Sequence, residues 1–172
     1  MTAINAPTGR NQTRAAIFLL VAMAVVVGGV LAFQYLGGFI PCKLCLKERI
    51  PYYVGIPIMA LAALSCLFRM PPLLTRLLLL AGGLLMTYSL YLAVYHSGVE
   101  WHWWPGPTDC GAVAAPSTGG KGILDALNTF IPPSCDKAAG RFLGLSFAGW
   151  NAVASVILAA VAYWATFGKA KA

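Results

Sequence analysis

Residues Ala15 to Leu36 read AAIFLLVAMAVVVGGVLAFQYL, 22 positions without a charge. A helix needs roughly 17 to 25 apolar residues to cross a hydrocarbon core, and this stretch has them. Three more pass the same test: Tyr52 to Phe68, Leu73 to Tyr95 and Phe142 to Phe167. The 172-residue chain is 59% hydrophobic and 10% charged, whereas soluble domains carry about 25% charged residues. The expected fold is therefore all-α and integral to a membrane, a bundle of four transmembrane helices forming one domain over residues 1–172. Pro57 lies inside the second span and predicts a kink whose freed backbone groups neighbouring helices satisfy. The first span exceeds the 7 to 15 apolar residues of a signal peptide and is read as an uncleaved helix.

The net charge of +7 does not point to nucleic acid, because the basic residues are scattered and form no run. They speak instead to orientation. Arg10, Arg14, Arg69, Arg76, Lys169 and Lys171 fall on one side of the spans, and Lys43, Lys47, Arg49, Lys121, Lys137 and Arg141 on the other. Lysine and arginine alone set topology, and by number the sides tie. Position breaks the tie: Arg69 and Arg76 crowd a very short turn, Arg10 and Arg14 precede the first helix, and part of the opposing set sits in a long loop. Both termini are expected in the cytoplasm of a bacterium, with the loops over residues 37–50 and 97–141 in the periplasm.

The long loop opens with Trp101, Trp103 and Trp104, aromatic residues suited to the headgroup level. Farther along, Ile123, Leu124, Leu127, Phe130 and Ile131 share one helical face. A short interfacial helix lying in the membrane plane fits that pattern, and a core-packed helix is the plainer alternative.

Four of the five cysteines, Cys42, Cys45, Cys110 and Cys135, fall in the two periplasmic loops. That is the compartment where disulfides form and persist. Cys42 and Cys45 stand two residues apart at the expected start of a helix, a position that favours the reactive thiolate, and Lys43, Lys47 and Arg49 add positive charge. Haem attachment would need His where Leu46 stands, and zinc would need four ligands without their usual paired spacing. A purely structural bridge in so small a ring would constrain little of the unfolded chain. Arg49, about one helical turn after Cys45, is placed to stabilise a thiolate or a developing oxyanion, or to anchor at the interface. His96 at the outer end of the third span is placed similarly. Cys66, in an apolar run, reads as packing, and His102, among tryptophans, as interfacial.

At these residues the chain resembles the disulfide bond formation protein B family, DsbB. The resemblance rests on Phe33-Gln34, on Pro41-Cys42-x-Leu44-Cys45 with Glu48-Arg49, on Tyr95-His96 and on Pro107-x-x-Cys110. Cys135 followed by Phe142-Leu143-Gly144-Leu145 belongs to it too, and Val99-Glu100-Trp101 and Gly149-Trp150-Asn151 look like an alphaproteobacterial branch. The resemblance implies a membrane oxidoreductase that reoxidises a periplasmic DsbA-type thioredoxin-fold oxidase and passes two electrons to a quinone, ubiquinone or menaquinone. It implies that Cys110 forms the mixed disulfide with the partner, that Cys135 exchanges with Cys42, that Cys45 faces the quinone, and that Arg49 and His96 contact it. Ring size and shared face add the expectation of Cys42 paired with Cys45, and Cys110 with Cys135, in the resting protein. An oxidant such as quinone is needed because a DsbA-type partner sits at about −120 mV, above ordinary dithiols at roughly −180 to −270 mV. The rival readings are a non-catalytic four-helix membrane protein stapled by loop disulfides, and an outward electron carrier, which would need thiols reachable from the cytoplasm.

Overall fold

The computed structural model describes residues 7–107 and 135–169; Cys110 and the expected in-plane helix over residues 123–131 lie outside them. Within the described residues, α1 spans Arg10–Tyr35, α2 Lys43–Leu67 and α3 Pro72–Glu100. A two-stranded antiparallel hairpin follows, β1 Arg141–Phe142 with β2 Leu145–Ser146, and α4 spans Phe147–Phe167. All four helices are long and apolar enough to cross a membrane, so the chain is an all-α, four-helix membrane bundle.

Three helices run past their apolar stretches because polar residues build their end turns. Gln12 sits in the first turn of α1, Lys43 to Arg49 precede the apolar run of α2, and His96 to Glu100 finish α3. The fourth is shorter than the apolar pattern suggests and begins at Phe147 rather than Phe142. Leu143 and Gly144 sit at φ +50° and +83°, the pair of positive values that a two-residue type I′ hairpin connection requires. Ser146 then caps α4, its hydroxyl accepting the Gly149 amide at 3.2 Å. α2 continues unbroken through Pro51 and Pro57.

Lipid offers no hydrophobic incentive for apolar helices to pair, so close backbone approach and interhelical hydrogen bonds set the packing. Leu19 and Met23 of α1, Met59 of α2, Met86 of α3 and Leu158 of α4 form the buried centre. Gly55 admits Met23 so closely that a Cβ there would lie 2.9 Å from its sulfur, and Gly83 admits the Tyr163 ring at the same distance. Polar pairs reinforce these contacts: Ser65 with Thr75 at 2.7 Å, Thr87 with Tyr163 at 2.8 Å, and Ser155 with Ser89 at 2.9 Å. Val25, Leu61, Leu84 and Ile157 point outward, as residues facing lipid should.

The end carrying Arg69 is closed by a fully buried arginine. Arg76 donates to the carbonyls of Thr166, Gly168 and Pro7, tying the end of α4 and the segment before α1 to α3. Gln12, also buried, donates to the carbonyls of Ala165 and Gly168 at 3.3 Å each. These are the terminal carbonyls that a helix cannot satisfy by itself. Arg76→Ala should cost about 3 kcal/mol, because charged donors leave buried carbonyls unpaired. The expected result is a clear drop in the midpoint of thermal unfolding in detergent, with Arg76→Lys intermediate because a point charge replaces a fork of donors.

Candidate functional site

Cys42 is the N-cap residue of α2, held extended at φ −80° and ψ 169°. Its sulfur accepts the Cys45 backbone amide at 3.3 Å, doing the work usually given to a capping oxygen. The two sulfurs lie 2.9 Å apart. Both cysteines are free thiols, as is Cys66, whereas Cys135 is disulfide-bonded. The bridge expected between Cys42 and Cys45 is therefore open here, with its sulfurs in hydrogen-bonding contact.

Cys42 is 3% exposed and Cys135 2%, and the two pack with Leu44 and Val99. His96 joins them from α3: the Cys42 and Cys135 sulfurs and a His96 ring nitrogen all lie within 4.8 Å of one another. A metal would ask each sulfur for a thiolate, and the Cys135 sulfur is committed to a disulfide. The cluster thus sets a thiol, a disulfide sulfur and an imidazole side by side.

His96 does not stand alone. Its Nδ1 lies 2.6 Å from Glu48 Oε1, and its Nε2 lies 3.9 Å from the Cys42 sulfur. A carboxylate only accepts, so Nδ1 is the donor and Nε2 faces the thiol. Glu48 in turn accepts from Asn151 Nδ2 at 2.8 Å through its other oxygen. Tyr52 donates to Asn151 Oδ1 at 2.7 Å, and its hydroxyl also meets Ser155 Oγ at 3.2 Å. A connected polar chain thus runs from the thiols through α2, α3 and α4 into the bundle.

Hydrogen bonding from Cys45 holds the Cys42 thiol well below the ordinary thiol range; burial opposes this, and His96 adds to the lowering. The partial positive charge at the start of α2 acts in the same direction.

Beside the thiols lies a cavity of about 380 Å³, within the usual range of about 300 to 1,000 Å³ for small-ligand sites. Val26, Phe33, Phe39 and Phe147 give it apolar walls, while Cys45, Arg49 and His96 supply a polar end. Arg49 donates to Gln34 Oε1 at 2.6 Å, which holds the guanidinium against α1. On the α1 side Val25 and Phe33 are half-exposed, so the cavity opens toward lipid.

Among the residues singled out from sequence, Cys42, Cys45, Arg49, Cys135 and His96 come together, and Cys110 lies outside the described residues. Cys66 sits at the far end of the bundle beside Arg10 and Arg69, and His102 is exposed in the turn after α3. Glu48, Asn151, Gln34, Tyr52 and Glu100 had been given no role from sequence. The available signal was polarity inside apolar segments, since such residues face the bundle interior or a cavity.

The family described as disulfide bond formation protein DsbB matches residues 12–165 of the chain. The chain is also similar to the disulfide bond formation protein B of Saccharophagus degradans, 33% identical over 163 residues that cover 88% of this chain and 92% of that protein. No solved structure matches.

The His96 contact predicts how Cys42 titrates. A lowered pKa keeps Cys42 a thiolate as pH falls below the ordinary thiol range, so alkylation by iodoacetamide should persist there in the wild type. His96→Ala should move the midpoint of the alkylation rate upward, and Glu48→Gln should move it the same way by less. Peptide mass mapping identifies the alkylated residue; an unmoved midpoint would show that His96 does not act on Cys42.

Proposed function

The chain belongs to the DsbB family of disulfide bond formation proteins, and from that premise we propose that it oxidises a periplasmic dithiol protein and passes the electrons to a membrane quinone. The observation that carries the reading is a single cluster. The disulfide-bonded Cys135 meets Cys42 at the first turn of α2, and Cys42 and Cys45 both border the cavity that Arg49 and His96 line. A disulfide sulfur, a thiol pair and an apolar cavity within one helical turn support this reading.

In this reading a reduced DsbA-type oxidase of thioredoxin fold attacks Cys110, which the sequence reading pairs with Cys135. The Cys135 thiolate released by that attack opens a closed Cys42–Cys45 disulfide at Cys42, forming a Cys42–Cys135 bond and leaving Cys45 as the thiolate outlet of the electron pair. The open pair in this structure is then the reduced form that the quinone reoxidises. Burial of Cys42 and Cys135 keeps water and stray thiols from the exchange. Glu48 fixes the ring of His96, and His96 steadies charge on Cys42. The fit to a quinone is in the wall chemistry: apolar residues suit the ring and tail, Arg49 would supply donors to a ring oxygen, and His96 borders the same cavity with its ring nitrogens facing Glu48, Cys42 and Glu100. A quinone accepts two electrons and two protons and leaves as the hydroquinone. Ubiquinone and menaquinone both suit such a cavity.

The same proposal puts the thiol end in the periplasm and the Arg69 end, with both termini, in the cytoplasm of a bacterial inner membrane. Met70 is exposed in the turn between α2 and α3. A cysteine placed there should resist an impermeant thiol reagent in intact cells and react once the cells are opened.

The decisive measurement mixes purified protein with a reduced DsbA-type partner and follows quinone absorbance. Stoichiometric bleaching is expected, and its absence in folded protein would leave the loop cysteines as staples. Arg49→Ala should slow quinone reduction by about 10²-fold, as expected for a charge at a site of developing negative charge. It should also raise the quinone KM while partner exchange at Cys110 continues, and Cys66→Ala should leave both steps within a few-fold of wild type.

A further inference from the structure

The cavity holds one carboxylate that the disulfide exchange leaves unused. Glu100 ends α3 one helical turn beyond His96, and its side chain is 4% exposed with Oε1 3.9 Å from His96 Nε2. Its Oε2 has no hydrogen-bond partner among the described residues. His96 Nε2 therefore faces two groups, the Cys42 sulfur and the Glu100 carboxylate, while Nδ1 is held by Glu48. The other groups around Glu100 are Glu48 and Arg49 of α2, Lys137 ahead of the hairpin, and Arg141 and Ser146 within it.

A buried carboxylate with an unpaired oxygen is costly as an anion and far less so as a neutral acid. It is a place to keep a proton. Closing the Cys42–Cys45 disulfide breaks two S–H bonds, forms one S–S bond, and sends two electrons and two protons to the quinone. Both thiols border the cavity, with Cys45 the less buried of the two and free to pass its proton there directly. Cys42 is 3% exposed and its sulfur faces His96 Nε2 at 3.9 Å, so the base nearest its proton is the imidazole.

We infer that Glu100 is the carrier of that proton: it takes the Cys42 proton through His96 Nε2, holds it while Cys42 is a thiolate, and releases it into the quinone cavity as the disulfide closes. The inference rests on the quinone reading for its final step. The uptake of the proton depends on the thiols alone.

The two parts separate in one set of measurements. In quinone-free protein, the infrared difference spectrum between the dithiol and disulfide forms of the Cys42–Cys45 pair should show a protonated-carboxyl band in the dithiol form. Glu100→Gln should abolish that band, and Glu48→Gln should keep it. With quinone and a reduced partner, Glu100→Gln should slow quinone reduction by about 10²-fold, the usual loss for a missing proton-transfer group, without changing the quinone KM or the exchange at Cys110. Glu100→Asp and formate added to Glu100→Ala should each restore part of the rate, which a merely structural side chain would not allow. No carboxyl band in wild type, or a band that survives Glu100→Gln, overturns the inference. A band that behaves as expected in a protein that reduces no quinone would overturn the proposed function and leave Glu100 as a proton store for the thiols.

Discussion

Glu48 brings its carboxylate between His96 of α3 and Asn151 of α4, so that one buried anion on α2 ties three helices together at the level of the thiols. Each oxygen has a donor, and that is what makes the burial tolerable. The cost of leaving either oxygen unpaired is high enough that the helices cannot slide or rotate independently there. Cys42 and Cys45, on the first turn of the same helix, inherit that register. So does Arg49, which is then free to reach across the cavity to Gln34 of α1.

The two ends of the bundle solve the same problem with opposite charges. At the thiol end an acid accepts from side chains; at the other, Arg76 donates to main-chain carbonyls of α4 and of the segment before α1. Between them apolar contacts, with glycines admitting Met23 and Tyr163, are joined by a few hydroxyl pairs such as Ser155 with Ser89. Apolar surface in lipid says little about which helix belongs beside which. The polar ends and the serine pairs carry that information, and they do so without spending the outer surface, which stays free for lipid.

The spans were legible because a bilayer demands long apolar runs, and the cysteines because their spacing is chemically narrow. What the pattern hid was local. Phe142 to Leu145 look like the start of a helix by hydropathy, and only the left-handed backbone at Leu143 and Gly144 shows that they turn a hairpin. His96 looked solitary because its partner Glu48 is on another helix, and the pairing exists only once α2 and α3 are packed. Glu100 lies beyond the apolar run that ends at Tyr95, yet α3 continues far enough to bury it against His96. Arg49 was visible from its distance to Cys45, but its hold on Gln34 was not.

The division of labour between Cys42 and Cys45 follows from the way a helix begins. The N-cap residue is still extended, so its side chain turns back over the first turn, accepts the Cys45 amide there, and meets His96 and Cys135 outside the helix. Three residues later the chain is helical, and Cys45 belongs to a helix face that fronts the cavity with Arg49. A bond between the two would join the sulfur that faces His96 and Cys135 to the one a helical turn before Arg49. A cysteine pair in mid-helix would put both sulfurs on one face and lose that separation. The first turn, capped by sulfur rather than oxygen, is therefore what gives two cysteines so close in sequence different backbone settings.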